Sequence, residues 1–514
     1  MIARICSAAL LGIDAFRVDL EVDLARQGIP AFTLVGLAEG AVREAKERVF
    51  AALKNGGHKL PPSRITVNLA PADQRKGGSG YDLPLALALL GAAQVLPQAA
   101  LEGWFVVGEL SLTGELKPVP GVLSMAVLAR REGAKGLLVP QANAAEAAVV
   151  EGLPVYGVAS LGEAVAFLAG TAALEPVRCE PYVPGEDDAW LCDFAEVKGQ
   201  EHAKRAIEIA AAGGHNLLFL GPPGSGKTML AQRIPTVLPP LAFEESLEVS
   251  KIYSVAGMLE PGQPLMRTRP FRAPHHTISD VGLVGGGAYP KPGEASLAHR
   301  GVLFLDELPE FKKPALEVMR QPLESGSVTI SRAAASLSYP ADFMLVAAMN
   351  PCPCGYLSDP RHTCVCSDFQ VQRYRARLSG PLLDRIDLHV EVPAVPYEDL
   401  RSDTPGQSSA AMRERIVRAR QRQAARYAGT PCLTNADLSG RWLEDVCRLD
   451  EAEHAFLGKA VNALALSARA YTRILRISRT IADLAEAPKI TVAHLAEAIN
   501  CRTLDRQQGA GPGY

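Results

Sequence analysis

The chain has 514 residues, 48% of them hydrophobic and 21% charged, enough for several domains with ordinary packed cores. A net charge of −3 excludes a chain that grips nucleic acid by overall basic character, so any such contact must come from local patches. Charges and prolines interrupt every apolar stretch before membrane-spanning length, and a cytoplasmic protein without a membrane partner is expected. Residues 1–12 weakly imitate a secretion signal, but Asp14, Arg17, Asp19 and Glu21 follow too soon and residues 16–22 alternate as a strand does. Residues 1–172 then alternate apolar strands with alanine-rich helices. Residues 173–195, with Pro176, Pro181, Pro184 and Gly185 beside Asp187 and Asp188, read as a linker.

Residues 196–395 carry the chemistry. Asn216-Leu217-Leu218-Phe219-Leu220 predicts a buried strand, and Met229-Leu230-Ala231-Gln232 starts a helix. Between them lies Gly221-Pro222-Pro223-Gly224-Ser225-Gly226-Lys227-Thr228, which fits the phosphate-loop pattern G-x-x-x-x-G-K-[ST]. Glycines let backbone N–H groups approach a triphosphate, Lys227 reaches its outer phosphates, and the Thr228 hydroxyl suits Mg²⁺. An inserted loop follows, marked by Gly285-Gly286-Gly287 and Pro290-Lys291-Pro292-Gly293. Gly301-Val302-Leu303-Phe304-Leu305-Asp306-Glu307 predicts a second buried strand ending in two carboxylates: Asp306 to hold Mg²⁺, Glu307 to polarise the attacking water. Residues 326–340 read as a hairpin bearing Arg332, either a contact to a phosphate backbone or a plain surface arginine.

A third strand, Phe343 to Met349, ends at Asn350, placed either to orient the water or to turn the chain before Pro351. Cys352, Cys354, Cys364 and Cys366 crowd one window, as a tetrahedral Zn²⁺ site requires; reduced free thiols are the alternative, and His362 is a possible substitute ligand. Arg385 precedes another apolar strand. From 396 to 505 the chain is arginine- and alanine-rich and helical, and 506–514 form a glycine-rich tail. Arg415, Arg418, Arg422 and Arg426 fall on one helical face, a stripe that either tracks DNA or is simply solvated. Arg469, Arg473 and Arg476 share a later helix, and a forked guanidinium suits a γ-phosphate transition state.

In this order the phosphate loop, acidic strand, Asn350, Arg385 and Arg469 resemble an AAA+ ATPase of the magnesium-chelatase-like branch. The stretches 214–224, 271–277, 293–301 and 349–355 make the whole chain similar to the YifB/ComM family. That resemblance implies an α/β fold: a P-loop AAA+ module with a helical lid. It further implies ATP and Mg²⁺ as cofactors, Asn350 as sensor 1, Arg385 as an arginine finger reaching a neighbouring subunit, and Arg469 as sensor 2. Arg473 and Arg476 remain alternatives for that last role. A finger acting between subunits implies a ring, by likeness a homohexamer. The family's role would be a DNA helicase promoting branch migration in recombination and natural transformation, with branched or single-stranded DNA bound without regard to sequence. The rivals are a motor for metal insertion into a tetrapyrrole and an ATP-dependent protease or protein remodeller. Residues 68–80 and 107–121 resemble the Lon protease domain, of ribosomal-S5-like α/β fold, but Val122-Leu123-Ser124 stands where its lysine belongs. Ser79 is the nearest serine, and Arg75 and Lys76 beside glycines suit an anion or a solvated loop.

Overall fold

The structure, a computed structural model, describes residues 1–514 apart from 27–28, 38–39, 186–191, 261–262, 288–289, 332–335, 358, 360, 402–405, 503 and 505–514. Strict alternation builds its first sheet. Along Asp14–Ala25, Val18, Leu20, Val22 and Leu24 are buried while the charged residues between them lie outside that core. The strands are β1 (Ile2–Leu11), β2 (Asp14–Ala25), β3 (Ala31–Val35), β4 (Arg64–Ala70), β5 (Trp104–Val106), β6 (Gly136–Pro140) and β7 (Val155–Val158), in the order β3-β4-β2-β1-β5-β6-β7. β2 pairs antiparallel with β1 and β4, and the remaining pairs are parallel. Helices α1 (Gly40–Asn55), α2 (Asp82–Ala92) and α3 (Val122–Arg131) belong to this domain, and α2 is buried along almost its whole length.

The linker is tied to the domains on either side of it. The Val177 N–H donates to the Val155 carbonyl at 2.8 Å, and the Tyr182 hydroxyl donates to the Leu241 carbonyl at 2.9 Å. Asp187 and Asp188 lie outside the described residues.

Past the linker, α4 (Glu201–Gly213) leads into β8 (Leu217–Leu220), α5 (Lys227–Arg233) and α6 (Phe243–Ala256). Then come β9 (Phe271–Arg272), β10 (Val302–Leu305), the hairpin β11 (Ser327–Ser331) and β12 (Ser336–Pro340), and β13 (Met344–Met349). Helix α7 (Asp368–Arg375), β14 (Leu388–Glu391), α8 (Ser409–Tyr427), α9 (Ala468–Leu484) and α10 (Val492–Asn500) follow. The five parallel strands run in the order β9-β10-β13-β8-β14. Their continuous apolar runs fit burial on both faces. Leu217 and Phe219 join Val346, Val390, Met412, Ile416, Ile474 and Leu495 in one core. Leu218 and Leu220 join Leu303, Leu345, Phe311, Leu316 and Ile386 in the other. The C-terminal helices therefore complete the core on one face of the sheet. Helices α3 and α6 join the two domains: the Gly121 N–H donates to the Ser254 carbonyl at 3.0 Å, and Lys251 pairs with Asp14 at 3.5 Å. Among the described residues no helix is long and apolar enough to cross a membrane.

Candidate active site

The loops after β8, β10 and β13 leave the same carboxyl edge of the sheet, where ligands of open parallel sheets bind. Gly221 follows β8 so closely packed that a Cβ would stand 2.1 Å from the Val392 carbonyl oxygen, so no side chain fits there. Lys227 is buried, and its Nζ donates to the carbonyls of Gly221 at 2.7 Å and Pro222 at 2.8 Å and to Asn350 Oδ1 at 3.3 Å. Burial lowers the Lys227 pKa, partly offset by the Asp306 carboxylate. The Thr228 hydroxyl donates to Asp306 Oδ2 at 2.7 Å, so the two oxygens suited to a hard divalent cation are already neighbours. Residues of all three predicted motifs thus meet at one edge.

Glu307 starts the turn after Asp306 with φ 52°, a left-handed conformation, and its side chain is 56% exposed. Its carboxylate lies 3.1 Å from His276 Nδ1, and the His276 ring rests 4.1 Å from that of His275. Sequence reasoning about the site missed His276. Its contact depends on the two-residue strand β9 pairing with β10, which carries no periodic signal.

The arginines occupy the other edge. Arg385 precedes β14, whose first residue is level with Leu217, the first of β8. Four strand residues, about 13 Å, therefore separate that edge from the phosphate loop. Arg385 pairs with Glu324 and donates to the Pro381 carbonyl. Burial and the charges of Arg320, Arg469 and Arg473 lower its pKa. Arg469 pairs with Asp384 at 2.5 Å and is 69% exposed, whereas Arg473 holds Asp387 at 2.5 Å and is only 14% exposed. Of these two, Arg469 is the one free to reach outward.

The four cysteines do converge. All four sulfurs lie within 4.8 Å of one another, with contacts of 3.3 Å for Cys352–Cys354, 3.7 Å for Cys352–Cys364 and 3.6 Å for Cys354–Cys364. Tetrahedral zinc thiolate bonds of about 2.3 Å place sulfurs about 3.8 Å apart, so the donor set fits that ion. Backbone N–H groups of Tyr356 and Val365 lower the Cys354 thiol, while the neighbouring sulfurs raise Cys364 and Cys366, so without a cation the four do not ionise together. His362 stays outside the group: its Nδ1 faces Asp359 at 2.9 Å and its ring lies against Tyr356.

Of the remaining sequence readings, one falls outside the described residues and two change. Arg332 lies outside the described residues, though the hairpin expected around it is present as β11 and β12. The arginine stripe is not a free cationic face: Arg415 pairs with buried Glu208, Arg418 with Glu414 and Glu486, Arg422 with Glu486, and Arg426 with buried Asp483. Each charge has an intramolecular carboxylate that its helical spacing could not reveal. Lys76 is neither solvated nor open to an anion; it is buried and its Nζ donates to the Pro71 carbonyl. Ser79 donates to Glu109 rather than to a lysine.

Three family models match the chain. The model for magnesium chelatase subunit ChlI matches residues 193–400, that for subunit ChlI of Mg-chelatase matches 20–143, and that for the ChlI C-terminal region matches 406–502. The chain is 46% identical over 509 residues to competence protein ComM of Haemophilus influenzae, covering 98% of each. It is 44% identical over 506 residues, again 98% of each, to the uncharacterized protein YifB of Salmonella typhimurium. Likeness to the magnesium-chelatase 38 kDa subunit of Rhodobacter capsulatus is 25% over 192 residues, 34% of this chain and 54% of that one.

Proposed function

Because the chain belongs to the YifB/ComM family of magnesium-chelatase-like AAA+ ATPases, we propose that it is a homohexameric motor that hydrolyses ATP to move DNA branches. The observation that carries this reading is the division of the site between two edges of one sheet. Lys227, Thr228, Asp306, Glu307 and Asn350 gather at the carboxyl edge, with Arg385 and Arg469 at the other. A γ-phosphate needs both sets, because the carboxyl edge supplies the metal site and base while the guanidiniums neutralise developing charge. One chain does not bring them together, so a neighbour's Arg385 acts as finger and its Arg469 as sensor 2. Asp306 and Thr228 would hold the cation of bound Mg-ATP, whose γ-phosphoryl group is the one transferred, and Glu307 would take the proton of the attacking water. Cys352, Cys354, Cys364 and Cys366 would hold Zn²⁺ as a structural ion, in keeping with a cytoplasmic setting where thiols stay reduced.

The full-length likeness to a competence protein favours DNA as the partner, with branch migration during uptake and recombination as the task. Arg332 remains the candidate for the grip on the strand. Metal insertion is second: its support is the partial likeness to a chelatase subunit. The test measures ATPase rate with and without a synthetic four-way junction at fixed low salt, and ATP-dependent release of a labelled strand. Stimulation and release are expected. Assembled, ATP-hydrolysing protein that neither binds nor moves the junction would overturn the DNA reading.

A further inference from the structure

The four-thiol knuckle is built directly onto the nucleotide site. Cys352 stands two residues past Asn350, the residue that accepts from Lys227. Gly355 closes the first turn, its N–H donating to the Cys352 carbonyl at 3.0 Å, with φ 88°. Its bare Cα lies against the phosphate loop: a Cβ there would stand 2.6 Å from Pro223 Cδ and 2.8 Å from Pro223 Cγ. Asn350 Cγ would be 3.9 Å away. From the far side, the Tyr374 hydroxyl meets the Asn350 backbone and Arg375 Nε donates to the Pro351 carbonyl at 3.4 Å. Asn350 is thus gripped between α7 and the knuckle, and the knuckle props the outer wall of the phosphate loop.

We propose that zinc in the Cys352–Cys366 knuckle and nucleotide in the phosphate loop bind cooperatively through the Gly355–Pro223 contact. The inference rests on the ATPase reading and deepens it. Without a cation, four thiols within 4.8 Å have no ligand bond to hold them, and any two thiolates among them repel. The knuckle then loosens, Gly355 no longer backs Pro223, and the loop must be ordered at the expense of nucleotide affinity. Zinc removes that cost beforehand, releasing thiol protons as it binds. Linkage makes the effect mutual: the factor by which zinc tightens nucleotide equals the factor by which nucleotide tightens zinc.

The experiment uses the full chain, stripped with a chelator and reloaded. Zinc affinity is read by competition with a coloured chelating indicator, with and without Mg-ADP, and Mg-ADP affinity by titration of the stripped and loaded forms. One zinc per chain and matching factors of at least about fivefold are expected, the lower range for coupled sites. Gly355→Ala keeps all four thiols and still takes up zinc, but its coupling factor falls towards one because the new methyl group pushes the turn off Pro223. The wild-type linkage stands as a test even where the variant folds poorly. Failure to take up zinc overturns the proposal. So do equal zinc affinities with and without bound Mg-ADP, or undiminished coupling in Gly355→Ala. Loaded protein that binds no Mg-ADP at all overturns the ATPase reading, and this inference with it.

Discussion

Glu307 is where a local backbone choice decides chemistry. Its turn is left-handed, and His276 is the neighbour that holds its carboxylate. Glu307→Gln keeps the shape and loses the base, so ATP binding persists while turnover falls by roughly 10²- to 10⁴-fold, measured by nucleotide titration and phosphate release. Lys227→Ala is expected to lose binding as well, because the buried cation of the phosphate loop is gone. Near-normal turnover in Glu307→Gln would remove the glutamate from its assigned role. His276→Ala is expected to raise basal kcat severalfold with KM unchanged, since a carboxylate released from its imidazole turns more readily to water. A lowered kcat would mean that His276 instead holds Glu307 in its working position.

The junction of α9 with the start of β14 shows how an element is locked to the sheet. Asp387 is buried, accepts from the Asn216 N–H at 3.1 Å and faces both Arg473 and His215. Burial alone would raise its pKa, but the His215 imidazole 3.6 Å away and the Arg473 charge outweigh it and hold the carboxyl well below the usual range. A depressed carboxylate stabilises the fold fully above its unfolded pKa near ~4, and that stability is lost as pH falls through the folded value. Asp387→Ala is therefore expected to destabilise the ATPase core by about 3–5 kcal/mol at neutral pH, as lost partners of buried pairs do. The gap between wild type and variant, read from urea midpoints, should narrow below about pH 4. The same junction marks what the sequence could and could not tell. Strands β8, β10 and β13 were legible because their apolar runs end in chemistry-bearing residues a few positions away. The partners of Arg415 and Arg426, Glu208 and Asp483, lie on α4 and α9, and periodicity along α8 carries no trace of them. Lys76 misled for a related reason: its burial is set by how the loop folds back on Pro71, not by the glycines beside it.

At the scale of the whole molecule, the proposed reading makes the two edges of the ATPase sheet decide how copies meet. Arg385→Ala subunits should assemble yet fail to hydrolyse ATP, as should Glu307→Gln subunits. Mixing the two restores part of the activity, because some interfaces then pair an intact glutamate with an intact arginine. The measurement is ATPase rate against mixing ratio, with subunit exchange verified by labelled chains; a flat, inactive profile would place the arginine's action within one chain. The domain contact between α3 and α6 predicts that residues 1–172 follow the ATPase core rather than swing free of it. On that reading, opposed edges also give each chain a polarity, like a link with one hook and one eye. A row of such links, however long, always leaves one hook and one eye unused, so n chains in a row make n − 1 working joints. Only closure makes the count of joints equal the count of chains, and a lone chain, though fully folded, has none.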